Sequence, residues 1–505
     1  MSELSATPMT TPQRLDPRSF IARAVTTLGR MGVPLAFAAF AILDKGEAAK
    51  LFVAIPALVG IMGLSLGIAY LRWRRLTYWV GEQDIRVESG IVSRAARSVP
   101  YERIQDVSLE QKLVPRLFGL VEVRFETGSG GGEDLKLAYL SETEGERLRD
   151  TVRARKQGEA IGDRAEAVAA QDEEQATTLF AMDPPRLLKF GLFEFSLAVV
   201  AVLFGATQQF DFLLPFDPWD VDEWRHVLAG PGAWLAGLGF AAQVIGAILA
   251  SLSLIVLGFA TGVIRTVLRD WGFLLEQTSR GFRRRRGLLT RTDVMMPRHR
   301  VQAVEIGTRL LRYRFGWHGL KFISLAQDAG SANHVVAPFA QMGEIEPIVR
   351  AAGFHPAACD VEWHRASTRY RFDSVMLEAG FFILAALPVA IFAPVPFFLI
   401  PLAIAGIVAA ANLYAWRFHR HATDRAQIFS LRGFLSPTLR IARRIKLHSV
   451  EISQGPIAQR HGYATLNLGL AGGSFAIRGI PIEEAHELRE AILTSIAAKD
   501  FSELA

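Results

Sequence analysis

The chain has 505 residues, half of them apolar and only 21% charged, with a mean hydropathy of +0.23. That length allows several domains, and an apolar excess over an ordinary soluble domain points to membrane spans. A single cysteine, Cys359, excludes an intramolecular disulfide framework and any cysteine-rich zinc or iron–sulfur site, and the modest net charge of +6 names no partner by itself.

Residues 1–17 are polar and proline-containing and read as a disordered tail. Gly32–Leu43 is a first apolar run. It is short for a span, so its helix is expected to begin near Ala24, with Arg30 reaching back to the interface. Ala36-Phe37-Ala38 matches a signal-peptidase site superficially but lies inside the run, which favours a retained span. Leu51–Leu71 supplies a second span of 21 residues, and the short link Asp44–Lys50 makes the two a hairpin. Leu187–Thr207 predicts a third span, a stretch within Gly232–Ile264 a fourth, and Gly380–Ala393 and Pro396–Ala415 the fifth and sixth. Each pair ends at a tryptophan beside charge: Trp73, Trp271 and Trp416 are expected interfacial anchors. Arg155–Gln175, charged and alanine-rich, reads as a linker or solvated helix.

Basic residues flank these spans on one side, among them Arg18, Arg72, Arg74, Arg186, Lys189, Arg265, Arg369, Arg371 and Arg417. The opposite side holds short tips and the acidic segment Gln208–Pro231. The basic side is expected to be cytoplasmic, with both termini.

Between the hairpins one pattern occurs three times. It runs from Gly90, Gly287 or Gly433 to a branched aliphatic (Ile104, Val301, Leu447) 14 residues on, and to a final glycine (Gly119, Gly316, Gly462) 29 residues on. Alternation such as Leu120-Val121-Glu122-Val123-Arg124-Phe125 predicts strands, and acidic helix-forming runs close each copy. Val107, Val304 and Val450 are expected to be buried equivalents. A period this long means duplicated domains, not a solenoid.

These features resemble the bacterial pleckstrin-homology domain of the second type: a Gly-aliphatic turn, then Pro100-x-x-Arg103-Ile104-Gln105-x-Val107 or Pro297-x-x-Arg300-Val301-Gln302-x-Val304, then Phe-Gly and a C-terminal helix. The third copy departs, with Arg443 for proline and His448 for glutamine. Three such domains alternating with membrane hairpins resemble the YdbT-type membrane proteins. The resemblance implies an α+β membrane protein: six transmembrane helices in three hairpins alternate with three PH-like β-barrel or sandwich domains, each closed by a C-terminal helix. The boundaries expected are a tail at 1–17, hairpin 18–75, domain 76–157, linker 158–183, hairpin 184–270, domain 271–353, linker and hairpin 354–416, and domain 417–499. It also implies the bacterial inner membrane as location.

No catalytic motif, cofactor fingerprint or metal set is expected. Gly128–Gly132 lacks the lysine of a phosphate loop and reads as a hairpin tip; Gly237-Leu238-Gly239 sits in an apolar span and reads as helix packing. His419, His421 and Asp424 have a metal-like spacing but lie amid arginines with no further ligand nearby. Arg280 and Arg283, Arg284, Arg285 and Arg286, with Arg440, Arg443, Arg444 and Lys446, are candidates for contact with anionic lipid headgroups; the competing reading is a solvated strand and turn that enforces topology. Nucleic acid is a poor fit, because interleaved aromatics are missing. Glu194 and Glu378 are candidate intramembrane carboxylates, or sit near the headgroups beside Lys189 and Arg371. The function expected is a non-enzymatic binding or assembly module for lipid headgroups or another membrane protein. The alternative is a transporter or channel component whose six helices form a substrate path.

Overall fold

The computed structural model describes residues 12–29, 51–90, 93, 95–127, 135–156, 176–196, 240–279, 281–328, 331–357, 361–392, 394 and 397–498. The apolar run Gly32–Leu43, the link Asp44–Lys50, the acidic segment Gln208–Pro231, the tip Gly128–Gly132, residues 237–239, Arg280, Cys359 and most of Arg155–Gln175 lie outside them. The described residues divide between two compact units. One is drawn from Met1–Gln175, Ala181–Leu274 and Arg284–Met295, the other from Ala176–Phe180, Leu275–Arg283 and Met296–Ala505.

One order of elements repeats three times. The first repeat runs β1 (Gln13–Arg14), α1 (residues 18–29), α2 (Leu51–Arg75), β2 (Thr77–Val80), β3 (Asp84–Ser89), β4 (Ala95–Pro100), β5 (Ile104–Gln111), α3 (Leu113–Leu117), β6 (Leu120–Thr127), β7 (Leu135–Ser141) and α4 (Glu142–Lys156). The second runs β8 (Thr177–Ala181), α5 (Pro184–Phe193), α6 (Phe240–Asp270), β9 (Leu274–Thr278), β10 (Gly281–Arg286), β11 (Arg291–Met296), β12 (Val301–Gly307), α7 (Leu310–Arg314), β13 (His318–Asp328), β14 (Ser331–Ala340) and α8 (Met342–Ala351). The third runs β15 (His364–Arg365), α9 (Thr368–Phe392), α10 (Leu399–Ala415), β16 (Arg420–Thr423), β17 (Gln427–Arg432), β18 (Thr438–Arg443), β19 (Leu447–Ser453), α11 (Pro456–His461), β20 (Tyr463–Leu470), β21 (Gly473–Pro481) and α12 (Ile482–Ala497).

The turn between the third and fourth strand of each repeat needs a residue without a side chain. Gly90, Gly287 and Gly433 sit there at φ +126°, +112° and +140°, and a Cβ on Gly287 would run into the carbonyl oxygen of Thr290. Gly119, Gly316 and Gly462 end the short helices at φ +67°, +71° and +70°, the left-handed conformation that glycine adopts without strain. Period-two alternation then fills the cores: in β20, Ala464, Leu466, Leu468 and Leu470 point inward, against Ala485, Leu488 and Ile492 of α12. Val107, Val123, Phe125, Leu137, Leu148 and Val152 do the same in the first repeat.

In the first unit β1, β2, β3 and β4 form one sheet, and β7, β6, β5 and β11 lie side by side in that order in another. In the second unit β14-β13-β12-β18-β17-β16-β15 is a continuous seven-stranded sheet, with β19-β20-β21 beside it. The repeats are therefore joined through their sheets, β5 to β11 and β12 to β18. Val107 and Val304 are buried as expected, but Val450 is only half-buried. Among the described residues its strand, β19, has a neighbour on one side only.

Three described helices are long and apolar enough to cross a membrane: Val244–Asp270, Thr368–Phe392 and Leu399–Phe418. The expectation of six spans thus meets three among the described residues. α2 is a 25-residue helix that continues past Leu71 to Arg75. The expected third span does not run on as one helix from Leu187: α5 ends at Phe193, and Glu194 adopts φ −100°, ψ 40°. The reason is close backbone packing. Gly191 abuts Val263, and the carbonyl oxygen of Glu194 and the ring of Phe195 press on Gly262 and Gly258 of α6, where no Cβ fits. α9 begins twelve residues before the expected Gly380, taking in Arg369, Arg371, Asp373 and Glu378.

Candidate functional site

The polar first turns of α9 are seated on the third repeat. The backbone amide of Ser367 donates to the carbonyl of Gly479 at 2.7 Å, and Arg369 Nη1 donates to the carbonyl of His461 at 3.0 Å. Asp373 Oδ2 lies 2.6 Å from His461 Nδ1. The ring of Tyr370 occupies the space a side chain at Gly479 would need, edge-on to Tyr463 at 5.6 Å. Burial, with the Asp373 carboxylate beside it, pushes the Tyr463 hydroxyl up to about 12. At the same end of the pair, where α10 finishes, Trp416 Nε1 donates to the carbonyl of Ala366 at 2.9 Å, and the Arg371 guanidinium stacks over the Trp416 ring at 4.6 Å.

Between this helix pair and the third repeat lies a cavity of about 250 Å³. Glu378 and Asn412 line it from the helices; His419, Arg420, Arg432 and Arg478 line it from the repeat. Asn412 Nδ2 donates to Glu378 Oε2 at 2.8 Å, so Glu378 is partnered across the pair by an amide and not by Arg371. Among the described residues no carboxylate is within ion-pairing distance of Arg420, Arg432 or Arg478. The local field is correspondingly positive. Burial first, then Arg440 and Arg478, lowers the pKa of Arg432; burial, then Arg432 and Arg478, lowers that of His419. His419 is therefore held towards its neutral form, and an incoming anion would oppose both charge effects.

His419, His421 and Asp424, whose spacing only resembles a metal set, do not converge. His421 Nε2 and His364 Nδ1 both contact Glu484 Oε1, at 2.8 and 2.9 Å, tying β15, β16 and α12 together. Asp424 accepts the backbone amides of Ala426 and Gln427 and shapes a turn.

The arginine candidates are distributed differently from a solvated face. Arg284 is fully buried, at 0% exposure, and offers no charge at a surface. Arg283, Arg285 and Arg286 are half-buried; Arg286 Nη1 lies 3.2 Å from Asp270 Oδ1, whose other oxygen takes Arg269 at 2.7 Å. In the third repeat the basic residues are engaged within the protein. Arg440 binds Glu305 at 2.7 Å, Arg443 donates to the carbonyl of Gly353, and Lys446 donates to the carbonyls of His299 and Val301, each at 2.7 Å. Arg444 donates to Thr423 Oγ1 at 2.6 Å. Three of the four thus stitch the second repeat to the third. Glu194 sits at the end of α5, with its backbone against α6.

Arg420, Arg432 and Arg478 escape a reading of the sequence alone. They come from β16, β17 and β21, 12 and 46 residues apart, and only strand pairing brings them together.

Comparison with known proteins agrees with the repeats. A family model described as bacterial PH domain matches residues 29–156, 233–351 and 379–495. The UPF0699 transmembrane protein YdbT of Bacillus subtilis (strain 168) is 23% identical over 507 residues, covering 94% of this chain and 97% of that protein.

Proposed function

This chain belongs to the bacterial PH domain family, and we propose that it is an inner-membrane binding module whose third helix pair and third PH-like repeat together hold an anionic headgroup. In this reading six helices cross the bilayer as three hairpins, with the repeats and both termini in the cytoplasm. Two facts support that topology. The strands on either side of each helix pair are neighbours, β1 with β2, β8 with β9, and β15 with β16, so each pair returns to the side it left. The basic residues cluster on that side.

The observation that carries the ligand reading is the cavity at the foot of α9 and α10. Three guanidinium groups without a carboxylate partner converge on a space of about 250 Å³, against helices apolar enough to span a membrane. Guanidinium groups match phosphate oxygens in fork geometry, His419 adds a neutral polar group, and the one carboxylate on the lining that the described residues show, Glu378, is capped by the Asn412 amide. The protein acts by binding, not by catalysis, and the transporter alternative gains no specific support.

Native mass spectrometry of the full chain, released from nanodiscs of phosphatidylethanolamine and phosphatidylglycerol, tests this. The wild-type protein should retain phosphatidylglycerol, and the Arg432→Gln/Arg478→Gln variant should lose it. Equal retention by both, or no preference over phosphatidylethanolamine, overturns the assignment.

A further inference from the structure

Among the described residues, two of the strands at sheet edges, β4 and β19, have counterparts in the other repeats that are paired on both sides. Among the described residues β4 pairs with β3 alone, and β19 with β20 alone. Their counterparts do more. β11, the second repeat's version of β4, pairs with β5; β18, the third repeat's version, pairs with β12. The second and third repeats thus each offer their fourth strand to the fifth strand of the repeat before. The first repeat's fourth strand and the third repeat's fifth strand are left over, one half of the same joint at each end.

The joints share one register. Counted from the turn glycines, Leu109↔Asp293 and Glu110↔Thr292 in the first joint are the same repeat positions as Ile306↔Leu439 and Gly307↔Thr438 in the second. Carried onto the leftover strands, that register sets Ile452 opposite Ala96, Ser453 opposite Ala95 and Glu451 opposite Arg97. The last pair is informative. Glu451 and Arg97 occupy the positions of Glu305 and Arg440, which face each other in the second joint and form its ion pair. Burial agrees: Val304 and Ile306 of β12 are buried, whereas Val450 and Ile452 are half-buried and Glu451 and most of β4 are exposed.

We infer that β19 of one copy adds to β4 of a second copy of this chain, head to tail, in the register of the internal joints. An exposed edge is a ready template for another strand, and this chain carries both complementary edges. Arg97 and Pro100 on β4 could serve only to guard the edge, but a guard has no need of an opposite charge at the matching position of β19. Because the two surfaces differ, the contact is heterologous, and it builds an open row or a closed ring of copies in the membrane.

Disulfide trapping in native membranes decides the matter. The native cysteine is first removed (Cys359→Ser). Copies carrying Arg97→Cys and copies carrying Glu451→Cys, with tags of different size, are co-expressed and oxidised. A mixed dimer is expected, and a ladder when both cysteines are in one chain. The same Arg97→Cys copy paired with Glu490→Cys, an exposed position on α12, should crosslink weakly. A charge test runs beside it: Arg97→Glu should lower wild-type self-association, read by single-molecule subunit counting in membranes, by about five-fold, the worth of one cross-strand charge pair. Mixing Arg97→Glu copies with Glu451→Arg copies should restore it. Absence of the mixed dimer, equal crosslinking through Glu490→Cys, or charge reversal without effect overturns the inference.

Discussion

Replacing Arg440 by methionine keeps the stem of the side chain and removes the guanidinium from the joint between β12 and β18. Glu305 would then keep only Lys321, 3.3 Å away, around a carboxylate side chain 11% exposed. Breaking a fully buried pair by deleting one partner costs about 3–5 kcal/mol. Arg440 is 23% exposed and Lys321 remains, so screening and the second cation reduce this to about 2 kcal/mol. Hydrogen exchange reads the joint locally. Amides of Ala303–Gly307 and Thr438–Ala442 should exchange about 30-fold faster at neutral pH, with those of the first repeat unchanged. The effect should fade in acid. Burial alone would raise the Glu305 carboxyl, but Arg440 and Lys321 outweigh it and hold it below the usual carboxylate range. A depressed carboxylate contributes stability above its unfolded value near 4.3, and that contribution is lost as pH falls through the folded value. An exchange change below about three-fold at neutral pH, or one undiminished in acid, would refute the claim that this ion pair holds the joint.

Three further outcomes are expected. Gly479→Ala places a methyl group against the Tyr370 ring at a φ of +72°, and should unseat α9 from the third repeat, read as faster proteolysis at Ser367–Arg369 with the first repeat unaffected. Glu484→Gln removes the carboxylate shared by His364 and His421. Because burial opposes ionisation of Glu484 but the two histidines outweigh it and depress its pKa, the stability lost by the variant should be largest above the usual carboxylate range and shrink as pH falls through the folded value, as thermal melts of the full chain would report. A reporter enzyme fused after Asp220 should be active only when it works outside the cytoplasm; cytoplasmic activity would invert the topology.

Much of this fold is legible in the sequence because duplication repeats its constraints. A glycine required by φ at Gly90 is required again at Gly287 and Gly433, and strand alternation recurs with it. What the sequence conceals is partnership. The period of β12 is that of any strand buried on both faces, and nothing local says that its neighbour lies 135 residues away, as Glu305 and Arg440 do. Arg440, Arg443 and Lys446 therefore read as a surface when they are fasteners. Arg284 misleads for the same reason, since burial of a cation depends on partners distant in sequence. Hydropathy has a similar limit at α5: a run of apolar residues from Leu187 does not reveal that Gly258 and Gly262 draw the backbone of residues 191–195 inward and end the helix. The cavity is the extreme case, its lining drawn from α9, α10, β16, β17 and β21 and the turns beside them.

An anionic headgroup at the foot of the third helix pair can be trapped where it binds. The most direct measurement reconstitutes the full chain with a phosphatidylglycerol analogue bearing a photoreactive group at its headgroup, illuminates it, and maps the adducts by mass spectrometry. Adducts are expected on segments 412–420 and 430–434, competed away by unlabelled phosphatidylglycerol and lost in the Arg432→Gln/Arg478→Gln variant. Adducts confined to other surfaces, those around Arg283, Arg285 and Arg286 included, would contradict it.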